Sequence, residues 1–209
     1  LKKIIYLFPV SGILFSCDDD EKKETKFNHL VEQFADIKVL RYKIPGFEEL
    51  STKEKSLVYY LTQAGLAGRD IMWDQNYKHN LKIREALENI NATYTGDRES
   101  DDFNAFKVYL KRVWFSNGIH HHYSNDKIKP AFTRDYFETE LLKKSTTVLA
   151  PEVVAVLFND VDAKKVNKKE GVDNILSSAI NFYGSDNTDK DVTDFYKTAY
   201  RGPKGMPVE

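Results

Sequence analysis

The chain has little cysteine, almost no net charge and only a short apolar run. Each of these shortages excludes a structural feature or a class of partner. The single cysteine among 209 residues cannot form a disulfide within the chain. The 31 lysines and arginines nearly balance the 32 aspartates and glutamates, so no basic field attracts nucleic acid and no such partner is expected. The apolar run at residues 4–15 is too short to span a bilayer as a helix.

Familiar sequence signatures of catalysis are also missing. The chain contains no Gly-x-Ser-x-Gly nucleophile elbow, no glycine-rich phosphate loop and no His-Glu-x-x-His pair. Paired acids such as Asp101 and Asp102 lie in the first turn of a predicted helix, where they face the positive end of the helix dipole. Composition and spacing alone therefore identify no catalytic residue.

What the chain does contain suits one packed domain. Hydrophobic residues make up 41% and aromatic residues 13% of the sequence, which is ample material for a core. A length of 209 residues favours one domain over two. The sequence starts at Leu1 rather than methionine and residues 202–209 resemble a linker, so we expect a fragment or an unusual start codon.

The N-terminal segment has the features of a bacterial lipoprotein signal. A Lys-Lys pair precedes the apolar run, which ends in Leu-Phe-Ser-Cys, a sequence that resembles a lipobox. We expect a signal peptide at residues 1–16, lipid on Cys17 and an acidic flexible tether at residues 17–26. This predicts a membrane-anchored lipoprotein of the bacterial cell envelope. The alternative is a buried N-terminal strand with a free cysteine.

Apolar spacing predicts a mainly α fold for the rest of the chain, with one or two short strands. Ser51 and Glu54 fit a capping box, and Ser100 fits an N-cap. Residues 37–44 alternate and predict a strand or extended segment. Helices are predicted at 27–34, 52–68, from 69 onwards, at 80–94, 100–115 and 133–144, from 151 onwards, and at 188–200.

Residues 114–123 (Trp-Phe-Ser-Asn-Gly-Ile-His-His-His-Tyr) form the most distinctive stretch. A helix ends near Phe115, Asn117 and Gly118 predict a tight turn, and three histidines and a tyrosine follow. This polar cluster beside large aromatics suits the wall of a cleft. A solvated loop edge is the alternative.

The histidines do not predict a metal site. On a strand, His120 and His122 would share a face while His121 points away. Two imidazoles still lack the third ligand that a protein zinc site needs, and His29 and His79 are remote in sequence. We therefore expect no metal ligand in this chain.

The same stretch resembles a known family. Residues 34–196 are similar to the N-terminal part of bacterial dipeptidyl-peptidase III. The match is strongest at residues 108–123 (Val-Tyr-Leu-Lys-Arg-Val-Trp-Phe-Ser-Asn-Gly-Ile-His-His-His-Tyr). Supporting matches lie at residues 59–64 (Tyr-Tyr-Leu-Thr-Gln-Ala), 68–70 (Gly-Arg-Asp) and 181–184 (Asn-Phe-Tyr-Gly).

The resemblance implies one lobe of a two-lobed zinc exopeptidase that releases dipeptides from the N-terminus of short peptides. In that family the zinc is bound in the other lobe by a His-Glu-x-x-x-His motif and a downstream Glu. The motif is absent here. Residues 27–209 would then be an α-rich N-terminal region truncated before the zinc lobe, inactive alone. The alternative is a non-catalytic, lipid-anchored module that binds peptides or another partner.

The resemblance also implies which residues face a peptide. Asn117, Gly118 and Tyr123 match the family's cleft-side segment and are expected to contact substrate. For the histidine triplet we expect local hydrogen bonds or contact with the substrate's edge, not catalysis. Tyrosine suits the border of a cleft because its ring is apolar and its hydroxyl can bond a peptide backbone. The competing interpretation packs Tyr123 flat against Trp114 as ordinary core.

Overall fold

The computed structural model describes residues 27–199 of the chain. The expected signal peptide at 1–16, the lipidation of Cys17 and the tether at 17–26 lie outside these residues. Within them the fold is mainly α, as predicted, with a single two-stranded sheet in the described range.

The two strands form an antiparallel hairpin that corrects one prediction. Strand β1 (Leu30–Phe34) pairs with β2 (Ile37–Leu40), so the helix predicted at 27–34 is wrong, whereas the extended segment at 37–44 is confirmed for its first half. A helix of eight residues is marginal alone. Here Ala35, at φ 47°, makes a tight turn that lets the strands satisfy each other's backbone groups.

The helices begin and end close to the predicted positions. Ser51 caps the first helix in the predicted capping box with Glu54, and Ser100 accepts a hydrogen bond from the Phe103 amide. Thr133 caps a helical turn that continues as a π-helix rather than an α-helix. The helices are a 3-10 turn (Phe47–Glu49), α1 (Thr52–Ala67), α2 (Arg69–Asn76), α3 (Asn80–Thr93), α4 (Asp101–Ser116), α5 (Arg134–Tyr136) with the π-helix Phe137–Leu142, α6 (Pro151–Phe158) and α7 (Asp189–Thr198).

The core lies between α3 and α4 and is closed by α6 and the segment around Phe132. Each helix contributes apolar residues at helical spacing, which places them on one face. Burial of each large side chain stabilises the fold by about 1.5–3 kcal/mol. The fully buried members include Ile83, Leu87, Ile90, Phe103, Phe106, Val113, Phe137 and Leu157.

Helix α1 has no buried residue, a property that it shares with the shorter helices α5 and α7. Its apolar side chains point in every direction around the helix axis. The exposed set is Leu57, Val58, Tyr59, Tyr60, Leu61 and Leu66. No helix among residues 27–199 combines the length and the apolar character needed to cross a membrane.

Candidate functional site

The Asn-Gly turn ends α4 as predicted and sets the direction of the histidine segment. Asn117 adopts the left-handed conformation (φ 50°, ψ 46°), and its amide donates to the carbonyl of Trp114 at 3.3 Å. Gly118 follows at φ 145°, a conformation that a residue with a Cβ rarely adopts. Its amide donates to the carbonyl of Val113 at 3.1 Å. The chain therefore leaves the helix at one fixed angle.

Two asparagines from α2 and α3 hold this turn, and the sequence analysis missed both. The buried Asn80 amide group donates to the Trp73 carbonyl at 3.0 Å and accepts from the Ile119 amide at 3.1 Å. Asn76 donates to the carbonyl of Asn117 at 3.0 Å. Asn80 is the first residue of α3, a helix whose N-terminus has no side-chain cap. No signal in the sequence indicates its contact with Ile119.

His120 is buried, with 1% of its surface exposed. Its Nε2 lies 2.7 Å from the carbonyl oxygen of Asp162 and must carry the proton, since a carbonyl only accepts. Its Nδ1 is buried without a partner among the described residues. Burial lowers the pKa of His120, and Lys127 and Lys165 add to this effect. His120 is therefore a neutral side chain that anchors the loop at residues 159–163.

The same loop is held from two further sides. The Tyr77 hydroxyl donates to Asp162 Oδ2 at 2.7 Å, and burial together with this carboxylate raises the pKa of Tyr77. The ammonium of Lys127 donates to the carbonyls of Val156 (3.1 Å), Asn159 (3.3 Å) and Val161. Lys127 thus closes the C-terminal end of α6, and burial lowers its pKa.

His121 is half-buried and stabilises the next turn. Its Nδ1 accepts hydrogen bonds from the amides of Tyr123 and Ser124, both at 3.2 Å. The residue also lines a groove of about 460 Å³ whose other walls include Val108 and Arg112 of α4. His121 therefore both stabilises the turn at residues 121–124 and forms part of the wall of this groove.

The exposed rings of Phe115 and Tyr123 form an aromatic platform with the half-buried ring of His122, which contacts both. The His122 ring packs edge-on against Phe115 (4.8 Å between centroids) and lies 4.3 Å from the Tyr123 ring. Burial lowers the pKa of His122, and the neighbouring His121 adds to this. Tyr123 is 83% exposed and is not a core residue, so it does not pack against Trp114. The Trp114 indole instead donates to Glu88 at 2.8 Å.

Two comparisons with known proteins found no relative. No protein-family model matches the chain, and no curated protein matches it either. The similarity to dipeptidyl-peptidase III therefore depends on the residues quoted above.

The histidines do not fit the zinc that this family carries. His120 Nε2 and His121 Nδ1 are both engaged with backbone groups, and His122 packs against Phe115. Across residues 27–199, no three His, Cys, Asp or Glu side chains lie together as metal ligands would. No chemical step through a metal is assigned to this part of the chain.

Proposed function

We propose that this chain forms the N-terminal, peptide-facing part of a zinc-dependent dipeptidyl peptidase of the dipeptidyl-peptidase III type. Residues 1–209 contain no His-Glu-x-x-x-His motif, so the activated water and its base would come from other polypeptide. In this proposal the chain is inactive alone and supplies part of the wall of a substrate cleft.

The exposure of Tyr123 is the observation that carries the proposal. The segment that resembles the family most closely ends at this residue, and the fold leaves its ring in solvent beside His122 and Phe115. The turn beneath it is held by Asn76 and Asn80 from two other helices. An aromatic platform that is exposed and follows a fixed turn suits the binding of a peptide side chain.

The groove beside the platform extends the surface on which a peptide would lie. Arg112 and His121 provide polar groups along this groove, and Val108 and Ala35 provide apolar contacts. Mixed apolar and polar walls are typical of sites that orient a small ligand. The platform and the groove together provide side-chain and backbone contacts for a short extended peptide.

Peptide binding by the folded chain tests the proposal. A short peptide titrated into 15N-labelled protein should shift the amide signals of residues 117–126, and Tyr123→Ala should weaken its affinity by about tenfold, which is 1.4 kcal/mol. The melting temperature should not change, because Tyr123 is exposed. Tyr42→Ala is the matched control, since Tyr42 is 74% exposed and lies in another loop. Equal affinity in the Tyr123 and Tyr42 variants would remove the platform from the proposal.

Hydrolysis provides a second test. The purified chain should release no dipeptide from dipeptidyl substrates and should hold no stoichiometric zinc, because a zinc peptidase needs three protein ligands and a base. One zinc per chain together with chelator-sensitive dipeptide release would contradict the proposal.

The missing zinc motif favours one alternative, a non-catalytic, lipid-anchored peptide-binding module. The reading frame that encodes the chain separates the two proposals: a downstream His-Glu-x-x-x-His supports the peptidase, and a stop codon directly after Glu209 supports the module. Both proposals place lipid on Cys17, and acylation contributes about 0.8 kcal/mol of membrane affinity per buried methylene. Mass spectrometry of the protein from its native host would refute the anchor if the thiol of Cys17 were unmodified.

A further inference from the structure

A second cleft, of about 230 Å³, is lined by Asp162, the residue whose carbonyl oxygen contacts His120. Its walls come from the turn between α2 and α3, from Asp162, and from the segment at residues 175–185. It shares no lining residue with the groove beside His121. Its volume is below the roughly 300 Å³ at which drug-sized pockets begin, so it suits a small ligand.

Asp162 supplies a fixed carboxylate in this cleft. Its Oδ2 accepts the Tyr77 hydroxyl at 2.7 Å, and its backbone carbonyl is held by His120. Its φ of 54° is unusual for a residue other than glycine and indicates a conformation imposed by these contacts. No donor among the described residues reaches its other carboxylate oxygen, Oδ1. A cationic group entering the cleft would find an oriented anionic partner.

The remaining walls supply a positive charge and an apolar surface. Lys78 is exposed and lines the same cleft, so its ammonium can reach an anionic group at the rim. Ile175, Ile180 and Tyr183 contribute apolar surface and retain exposed area. Much of the remaining lining is polar and comes from Ser178, Asn181 and Ser185.

The wall formed by residues 175–185 is fixed by backbone hydrogen bonds. The amide of Ile180 donates to the carbonyl of Lys165 at 3.0 Å, and the amide of Asn181 donates to the carbonyl of Gln75 in α2 at 2.8 Å. These bonds tie the 175–185 segment to α2 and to the chain at Lys165. The cleft therefore exists before a ligand binds, which lowers the entropic cost of binding.

We propose that this cleft binds a free amino acid with an apolar side chain. The ligand's ammonium group pairs with Asp162, its carboxylate pairs with Lys78, and its side chain lies against Ile175 and Tyr183. The three features match the three parts of an apolar amino acid, and the small volume suits a ligand of that size. The site uses none of the residues assigned to peptide contacts and stands independently of the proposed peptidase role.

Titration with L-leucine tests the site, with N-acetyl-L-leucine and L-leucinamide as probes that each lack one charge. L-leucine should shift the amide signals of residues 77–78 and 175–184 with a saturable dependence on concentration. N-acetyl-L-leucine should bind at least about tenfold more weakly, since each tenfold corresponds to 1.4 kcal/mol of lost interaction. L-leucinamide should lose less affinity than N-acetyl-L-leucine, because the Lys78 ammonium that pairs with the missing carboxylate is exposed to solvent.

Four variants complete the test. Asp162→Asn should weaken L-leucine binding at least tenfold, and Lys78→Gln should weaken it severalfold without loss of folding. Lys82→Gln is the matched control, an exposed lysine of α3 outside the cleft. Tyr123→Ala should leave the affinity for L-leucine unchanged, which separates this site from the peptide platform.

The absence of a saturable shift in the folded wild-type protein would overturn the proposal. Equal affinity for L-leucine and its N-acetyl derivative would do the same, since the carboxylate of Asp162 would then make no contribution. If Asp162→Asn does not fold, the affinities of Lys78→Gln for L-leucine and of the wild-type protein for the three ligands still test the proposal.

Discussion

The side-chain amide of Asn80 occupies the space that a Cβ on residue 118 would need. A methyl group built on Gly118 would lie 2.2 Å from Asn80 Nδ2 and 2.8 Å from its Cγ. The same amide holds the Ile119 backbone and the Trp73 carbonyl. The glycine and the asparagine are therefore one structural unit, which sets where the chain goes after α4.

Gly118→Ala should destabilise the protein. The new Cβ clashes with Asn80 and is disfavoured at φ 145°, so the free energy of unfolding should fall by about 1–3 kcal/mol or more. Gly65→Ala is the matched control, because residue 65 lies inside α1 with open space around it, and this change should stabilise by about 0.4–1 kcal/mol. Urea unfolding of both variants measures the difference. A neutral effect of Gly118→Ala would show that the turn is not held as described.

The stability of the fold should decrease as the pH falls below about 6.5, the ordinary pKa of histidine. Burial lowers the pKa values of His79, His120 and His122 in the folded protein. Between each lowered pKa and 6.5 the unfolded chain binds more protons than the folded chain, so acid favours unfolding. The contribution is therefore complete above pH 6.5 and is lost as the pH falls through this window.

His120→Gln should flatten this pH dependence, since His120 is the most deeply buried of the three. The groups that face it are Tyr77, Asp162, Lys127 and Lys165, and the two lysines disfavour its protonation further. Urea unfolding from pH 5 to 8 measures the slope. His29→Gln, at an exposed site on the hairpin side, is the control. An unchanged slope in His120→Gln would count against His120 as a titrating group.

Two leucines of equal size should respond differently to truncation. Leu87 in α3 is fully buried, so Leu87→Ala should lower the free energy of unfolding by about 2–5 kcal/mol. Leu61 in α1 is largely exposed, so Leu61→Ala should change it by less than about 0.5 kcal/mol. Chemical denaturation of the two variants compares them directly. A large loss in Leu61→Ala would mean that α1 is packed in solution.

Lys127→Met tests the hydrogen bonds that Lys127 donates to carbonyls at the C-terminal end of α6. Methionine keeps the length of the side chain but leaves the carbonyls of Val156, Asn159 and Val161 without their donor, at a cost of about 1–3 kcal/mol. Lys129→Met, which removes only an exposed ion pair with Asp160, should cost less than about 1 kcal/mol. Urea unfolding measures the free energy of unfolding of both variants. Equal losses would show that the hydrogen bonds of Lys127 do not stabilise the end of α6.

Local signals in the sequence predicted most helix boundaries. The capping box at Ser51 and the N-cap at Ser100 depend on residues three apart, and Asn117 favours the left-handed conformation through its own side chain. Such interactions form within one turn of helix. They are visible in sequence because both partners lie within the same short window.

The parts that sequence reasoning missed depend on distant partners. Asn80 contacts the amide of Ile119, 39 residues away, and His120 contacts Asp162, 42 residues away. No short window contains both partners. The hairpin was missed because β1 has apolar residues at helical spacing, and only its pairing with β2 makes it a strand. The π-helical turns after Tyr136 carry no sequence signal that we recognise.

The apolar surface of α1 has a practical consequence for judging whether the purified chain is folded. Dyes such as ANS fluoresce on exposed hydrophobic surface, and this signal is commonly interpreted as a molten globule. Here the native fold itself presents Leu57, Tyr60 and Leu61 to solvent. A fully packed sample should therefore bind the dye while its buried Trp73 and stacked Tyr94 and Phe103 rings still produce a near-ultraviolet circular dichroism signal.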